Sequence, residues 1–174
     1  MSEMTANVGV IGLGAMGAPM ARNLARAGLL AGVWNRSADK AAALAAELDV
    51  RHAPTPADLA RHCDVILTCV SADADLLAVV DQALPGLDGD KLLIDTSTVQ
   101  PATAVEVARR LAEAGCGFLD APVSGGVEGA RQGTLAIMVG GETHELERAR
   151  PVLEAIGARI AHMGPVGSGQ ATKA

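Results

Sequence analysis

The chain has 174 residues, 49% of them hydrophobic but only 1% aromatic, and a formal net charge of −6. That length suits one domain with a buried core, and with Trp34 and Phe118 as the whole aromatic set the core must be aliphatic. A stacking platform for single-stranded nucleic acid needs aromatic faces, and a phosphate-backbone footprint needs basic clusters; both are missing, so nucleic acid is not an expected partner.

Met1 to Asn7 is short and polar and carries no secretory signal, and no run approaches the ~20 apolar residues of a membrane span. Val8–Ile11 reads as a strand, Gly12–Gly17 as a turn and Ala18–Ala27 as a helix with Met20, Leu24 and Ala27 on one side. Pro19 suits the first turn of that helix and Gly28 its end. Leu30–Trp34 is a second strand, Ala38–Leu48 an alanine-rich helix and Val50–His52 a short third strand. Thr55 is placed to cap a helix over Pro56–Arg61. Val65–Val70 is almost wholly apolar, as a parallel strand covered on both faces would be. Ala74–Leu84 reads as a helix closed by Pro85-Gly86, and Lys91–Asp95 as a strand. The spacing predicts a helix over Pro101–Ala114, with Ser97 or Thr98 as cap and Gly115 as stop. Gly117–Ala121 and Leu135–Val139 are strands, Thr143–Ile156 a helix interrupted or bent near Pro151, and Arg159–Met163 a last strand. In Asp120-Ala121-Pro122-Val123-Ser124-Gly125-Gly126, the two glycines after a serine predict a loop leaving a strand.

Strands alternating with helices predict an α/β fold with a mainly parallel sheet. The later strands lie closer together in sequence, so part of the sheet is expected to be antiparallel or mixed. Cys63, Cys69 and Cys116 are odd in number and form no C-x-x-C pair; free buried thiols in a reducing, cytoplasmic compartment is the plain reading. His52, His62, His144 and His162 are scattered, and no metal-ligand spacing stands out.

Gly12-Leu13-Gly14-Ala15-Met16-Gly17 is G-x-G-x-x-G, placed after a strand and before a helix, where a dinucleotide pyrophosphate sits. Gly12 would permit the tight turn, Gly14 the approach of the pyrophosphate, and Gly17 close packing of helix on strand. The helix N-terminus would supply N–H donors and a positive dipole. The second strand ends in Trp34-Asn35-Arg36-Ser37. An NAD site would normally place Asp or Glu there to hold the ribose hydroxyls. Neutral Asn35 followed by Arg36, whose guanidinium suits a 2′-phosphate, favours NADP(H) over NAD(H). Ser37 could add a donor, cap the following helix, or do both.

These segments together resemble the β-hydroxyacid dehydrogenase family, which includes 3-hydroxyisobutyrate dehydrogenases, semialdehyde reductases and, more distantly, 6-phosphogluconate dehydrogenases. The glycine turn continuing as Ala18-Pro19-Met20-Ala21-Arg22-Asn23-Leu24, Asp95-Thr96-Ser97-Thr98 before Pro101, the DAPVSGG stretch running into Gly129-Ala130 and Gly133-Thr134-Leu135, and Gly167-Ser168-Gly169-Gln170-Ala171-Thr172-Lys173 occur in family order over nearly the whole chain.

The resemblance implies a Rossmann-type, doubly wound, mainly parallel sheet over residues 1–164, with 165–174 opening an interdomain segment. It implies that Val70 and Ser71 wall the cofactor, although Val70 could be core and Ser71 a helix cap. Thr98 would sit beside the nicotinamide ribose, or cap the next helix. Ser124, Gly125 and Gly126 would bind the carboxylate of a small substrate, as a hydroxyl with consecutive N–H groups can. Lys173 would be the catalytic acid–base. Family members continue through a long helix into an all-helical domain, with an asparagine one turn after the lysine; this sequence ends at Ala174. The chain as given is therefore expected to bind NADP(H) with little turnover, to hold Lys173 on a loose end, and to expose apolar surface that favours self-association. The complete protein would be a homo-oligomer with no membrane partner. Two other readings remain: an imine reductase, which shares the scaffold but generally lacks the lysine, and a catalytically silent nucleotide-binding or dimerisation module.

Overall fold

The computed structural model describes residues 7–174, so most of the polar opening segment lies outside the described residues. Alternation of strand and helix begins at once: β1 (Val8–Ile11), α1 (Gly17–Arg26), β2 (Leu30–Trp34), α2 (Ala38–Leu48), β3 (Arg51–His52) and α3 (Pro56–Arg61). It continues with β4 (Val65–Thr68), α4 (Asp73–Ala83) running into a 3-10 turn, β5 (Leu92–Asp95), α5 (Pro101–Glu113) and β6 (Gly117–Asp120). Then follow β7 (Val123–Ser124), α6 (Gly126–Gln132), β8 (Leu135–Gly140), α7 (Thr143–Ile156), β9 (Gly157–Gly164) and α8 (Ser168–Lys173).

One sheet takes in all nine strands in the order β3-β2-β1-β4-β5-β6-β8-β7, with β9 also paired to β8. The six strands from β3 to β6 are parallel. Beyond them β8 runs antiparallel to β6 and β7, and β9 parallel to β8. The expectation of a mainly parallel sheet with a mixed end is thus met.

The unbroken apolar strands follow from covering both faces. Along β1, β4 and β5, Val8, Val10, Val65, Leu67, Leu92 and Ile94 point to one core with Met20 and Leu24 of α1 and Leu146, Val152 and Leu153 of α7. Ile11, Ile66 and Leu93 point to the other, with Leu59 of α3, Leu76 and Val80 of α4, and Val107 and Leu111 of α5. Full burial of each such side chain is worth ~1.5–3 kcal/mol relative to exposure. Local signals close the helices as read. Thr55 accepts the Asp58 N–H through its hydroxyl. After α1, Gly28 N–H donates to Ala25 and Leu29 N–H to Leu24, the paired closure that a glycine allows.

Four local expectations need correction. Neither Ser97 nor Thr98 caps α5: Gln100 holds the N-cap position, and the Asp73 carboxylate of α4 accepts from Gln100 N (2.9 Å) and Thr103 Oγ1 (2.6 Å). Ala72, not Ser71, is the N-cap of α4. α7 is not interrupted at Pro151: the helix is continuous from Thr143 to Ile156, with the proline on an exposed position where water can reach the carbonyl left without its N–H partner. Finally, Val123-Ser124-Gly125-Gly126 is not simply a loop; Val123 and Ser124 pair with β8, and Gly126 opens α6.

Candidate cofactor and active site

The C-terminal ends of the parallel strands carry the polarity that the rest of the sheet lacks. Thr68, Asp95 and Asp120 end β4, β5 and β6 in register, and all three are fully buried. Beside them a cleft of about 500 Å³ opens where β1, β2 and β4 give way to their helices.

The glycine turn forms one wall of that cleft. Gly12 has φ +98°, and a Cβ there would collide with the Cys69 carbonyl. A Cβ at Gly17 would collide with the Gly12 carbonyl, so α1 starts directly on the turn. Gly14, by contrast, meets nothing within 4 Å of its added Cβ. Gly12, Leu13 and Gly14 line the cleft, whereas Ala15 and Met16 continue the turn towards α1 outside its lining.

Asn35 supports the second wall rather than facing outward as a free amide. Its Oδ1 accepts the Leu13 N–H at 2.9 Å and its Nδ2 donates to the Ser37 carbonyl at 3.2 Å. This ties the glycine turn to the β2–α2 loop. Arg36 is left 89% exposed at the cleft, 3.7 Å from Asp75 of α4. Ser37 occupies the N-cap position of α2 without donating or accepting a side-chain cap bond, so its hydroxyl is available to the cleft it lines. Lys40, one helical turn on, lines the same cleft. It passed unnoticed in sequence, where a lone lysine in an alanine-rich helix reads as a solvated charge. Val70 and Ser71 close the opposite side, with half-buried Cys69 beneath them. Burial pushes the Cys69 thiol up to about 11, so it is a packing group rather than a nucleophile. Cys63 and Cys116 are buried free thiols held high for the same reason.

The polar strand ends brace the cleft from below. Asp95 Oδ1 accepts from Thr68 Oγ1 (2.8 Å) and Ser97 N (3.1 Å), and Ser97 Oγ accepts the Val70 N–H at 2.8 Å. Asp95 Oδ2 finds no partner among the described residues. Burial raises the Asp95 carboxyl to about 6, against the opposing hydrogen bonds from Ser97 and Thr68.

The remaining predicted residues lie outside that cleft lining. Thr98 is exposed on the β5–α5 loop and lies outside the cleft lining. Ser124, Gly125 and Gly126 are exposed where β7 passes into α6, with φ +139° and +66° at the two glycines. Lys173, far away in sequence, donates its ammonium to the Val123 carbonyl, next to Ser124. Its charge also reaches Cys69 in the cleft, where it opposes the rise of the thiol. The expected loose end is not seen: Gly167 and Gln170 of the segment bearing Lys173 donate to the buried Asp120 carboxylate. Among the described residues no group of His, Cys, Asp and Glu is arranged to hold a metal, and no helix is long and apolar enough to cross a membrane.

A doubly wound parallel sheet with a glycine turn opening its first helix defines a Rossmann-type dinucleotide-binding domain. Residues 7–164 match the family model described as the NAD binding domain of 6-phosphogluconate dehydrogenase, and the chain belongs to that family. It is similar to the mitochondrial 3-hydroxyisobutyrate dehydrogenase of Drosophila melanogaster, with 40% identity over 96% of this chain and 52% of that protein. The Mycobacterium tuberculosis 3-hydroxyisobutyrate dehydrogenase solved with L-serine superimposes with a TM-score of 0.93 at 38% identity, over 98% of this chain and 58% of that one. An imine reductase from Myxococcus stipitatus, solved with NADP+, gives 0.88 at 27% identity, over 96% and 58%. The chain thus spans little more than half the length of these relatives.

Proposed function

We propose that the chain is the NADP(H)-binding part of an oxidoreductase that interconverts a small 3-hydroxy acid and its semialdehyde or oxo acid, with Lys173 as acid–base. The observation that carries this reading is the hydrogen bond from Lys173 to the Val123 carbonyl, beside Ser124. Residues 50 apart in sequence thereby meet, which supports a proton carrier working beside a carboxylate cradle.

The cleft suits the cofactor. Open space at Gly14 allows a pyrophosphate to reach the backbone. Arg36, Lys40 and the Ser37 hydroxyl line one end with no carboxylate at the Asn35 position to repel a 2′-phosphate. Asn35, already bonded to Leu13, fixes the shape of that end rather than reading the ribose alone. Val70 and Ser71 hold the opposite wall, and Thr98 would meet the ribose nearest the chemistry. A nicotinamide bound there would supply or accept the hydride. Ser124 and the N–H groups of Gly125 and Gly126 would orient the substrate carboxylate. Lys173 would protonate the carbonyl oxygen in reduction and, as the neutral amine, take the hydroxyl proton in oxidation. The complete protein would be a homo-oligomer in the cytoplasm.

Titration of this chain with NADPH and NADH tests the cofactor reading. Replacing Lys173 by alanine, in any longer form that turns over a hydroxy acid, should abolish turnover while NADPH still binds. Retained turnover would assign the proton to another group. Likeness to an imine reductase supports C=N reduction as a second reading; faster turnover of a cyclic imine than of any semialdehyde would favour it. Cofactor binding with no turnover of either class, even in the longer form, would leave a silent nucleotide-binding module.

A further inference from the structure

Asp120 ends β6 with no accessible surface and, among the described residues, no cation as hydrogen-bond partner. Its carboxylate reaches instead into the start of α8: Oδ1 accepts the Gly167 N–H at 2.8 Å and Oδ2 the Gln170 N–H at 3.0 Å. Those are the N-cap residue and the third residue of the helix, the two positions that a capping box serves from within one segment. Here the cap comes from a strand 47 and 50 residues earlier. Room for it is built in. A Cβ at Gly140 would strike Asp120 Oδ1, and a Cβ at Gly169 would strike the Met138 carbonyl and crowd Asp120 Oδ2 at 3.0 Å.

A second fastening lies beside the first. Gln170 is 2% exposed; its Nε2 donates to the Ser97 carbonyl at 2.7 Å and its Oε1 accepts the Val99 N–H at 3.2 Å. The helix is therefore bonded to the β5–α5 loop through Gln170 and to the end of β6 through Asp120. Three residues beyond Gln170, Lys173 turns back onto Val123, itself three residues beyond Asp120. One carboxylate thus fixes the start of the helix that carries the lysine and stands at the root of the stretch that carries Ser124, Gly125 and Gly126.

The geometry points to Asp120, seconded by Gln170, as the positioning residue that registers Lys173 against the substrate cradle. This rests on the reading of Lys173 as the acid–base. Asp120 touches neither the cleft nor Lys173, so its effect passes through the backbone of α8. Near-attack geometry is steep in distance: a misplacement of about 1 Å costs on the order of a hundred-fold in rate.

The sequence holds only three lysines, Lys40, Lys91 and Lys173, which makes the location of Lys173 directly readable. With reductively 13C-methylated lysines, the wild-type chain should show a Lys173 methyl resonance shifted from that of free lysine, with contacts to Val123. Lys91, held by the Ala60 and Gly86 carbonyls, serves as a fold control. In Asp120→Asn, an amide cannot accept both N–H groups through its two terminal atoms. The Lys173 resonance should fall onto the free-lysine position while Lys91 stays in place, and Gln170→Ala should do the same. An unmoved Lys173 in folded Asp120→Asn overturns the proposal. Should that variant unfold and Lys91 collapse too, hydrogen exchange on the wild-type chain decides. The Gly167 and Gln170 amides must then exchange as slowly as sheet amides; exchange as fast as at Ala174 overturns the proposal. Where turnover is measurable, Asp120→Asn should lower kcat on the order of a hundred-fold with the KM for NADPH unchanged. The two readings fail separately: a Lys173 that is held by Asp120 yet dispensable for turnover sinks the acid–base assignment alone, whereas an essential Lys173 indifferent to Asp120 sinks the positioning alone.

Discussion

Replacing Asp95 by asparagine should remove a component of the pH dependence of stability. Asp95 is fully buried, one of its oxygens has no partner among the described residues, and its carboxyl is raised by burial from an ordinary 3.8 to about 6. An acid raised in the folded state binds its proton more tightly there than in the unfolded chain. Its contribution is therefore fully present below about pH 4 and is lost as the pH climbs through about 6. The gap between those values corresponds to ~3 kcal/mol. Asparagine keeps the Oδ1 that serves Thr68 and Ser97 but cannot ionise. Urea unfolding followed by far-UV circular dichroism, at intervals from about pH 3.5 to 7.5 and constant ionic strength, gives both stability curves. The wild-type value minus that of Asp95→Asn should fall by ~3 kcal/mol across the interval. A flat difference would mean that Asp95 is solvated or partnered in the folded state. A difference rising with pH would mean that a favourable charged interaction holds it, reversing the argument.

The remaining predictions concern the cleft and its supports. Arg36→Ala should weaken NADPH binding by about ten- to a hundred-fold, the range of a hydrogen bond to a charged group, with little change for NADH; equal losses in calorimetric titrations would remove the case for the 2′-phosphate. Gly14→Ala and Gly17→Ala should separate binding from folding. Alanine at 14 meets open space and should leave the melting temperature nearly unchanged while lowering cofactor affinity, whereas alanine at 17 strikes the Gly12 carbonyl and should cost ~1–3 kcal/mol in denaturant unfolding. Asp73→Ala removes the acceptor for Gln100 N and Thr103 Oγ1 and should destabilise the chain by about 1 kcal/mol. An unchanged denaturation midpoint would show that water replaces those bonds at no cost.

The sequence alone was enough for the longer strands and helices and for the glycine turn, which depend on neighbours along the chain. Up to their polar last residues Thr68 and Asp95, β4 and β5 are apolar without alternation, as β1 is throughout, because helices cover both faces of the sheet, and that demand is written into each strand separately. The turn from Gly12 to Gly17 announced itself because Gly12 and Gly17, which leave no room for a side chain, stand only five residues apart in sequence. Short elements were less legible: β7 has two residues and α6 has seven, too few for any period to show. What only the tertiary structure decided is which distant groups meet. Lys40, though exposed, joined Arg36 at the cleft because the first turn of α2 stands at its edge. Asp95 became a buried, half-satisfied carboxyl because Thr68 and Asp120 end the adjacent strands in register with it. Lys173 read as a loose end because nothing near it in sequence restrains it; the restraint comes from Asp120 and from the Ser97 and Val99 backbone, 47 to 73 residues away from their partners in α8 and its cap. Local sequence sets where a chain is extended, helical or turned. Burial of a charge, and the hydrogen bonds that make it tolerable, exist only once the sheet has brought its strand ends together.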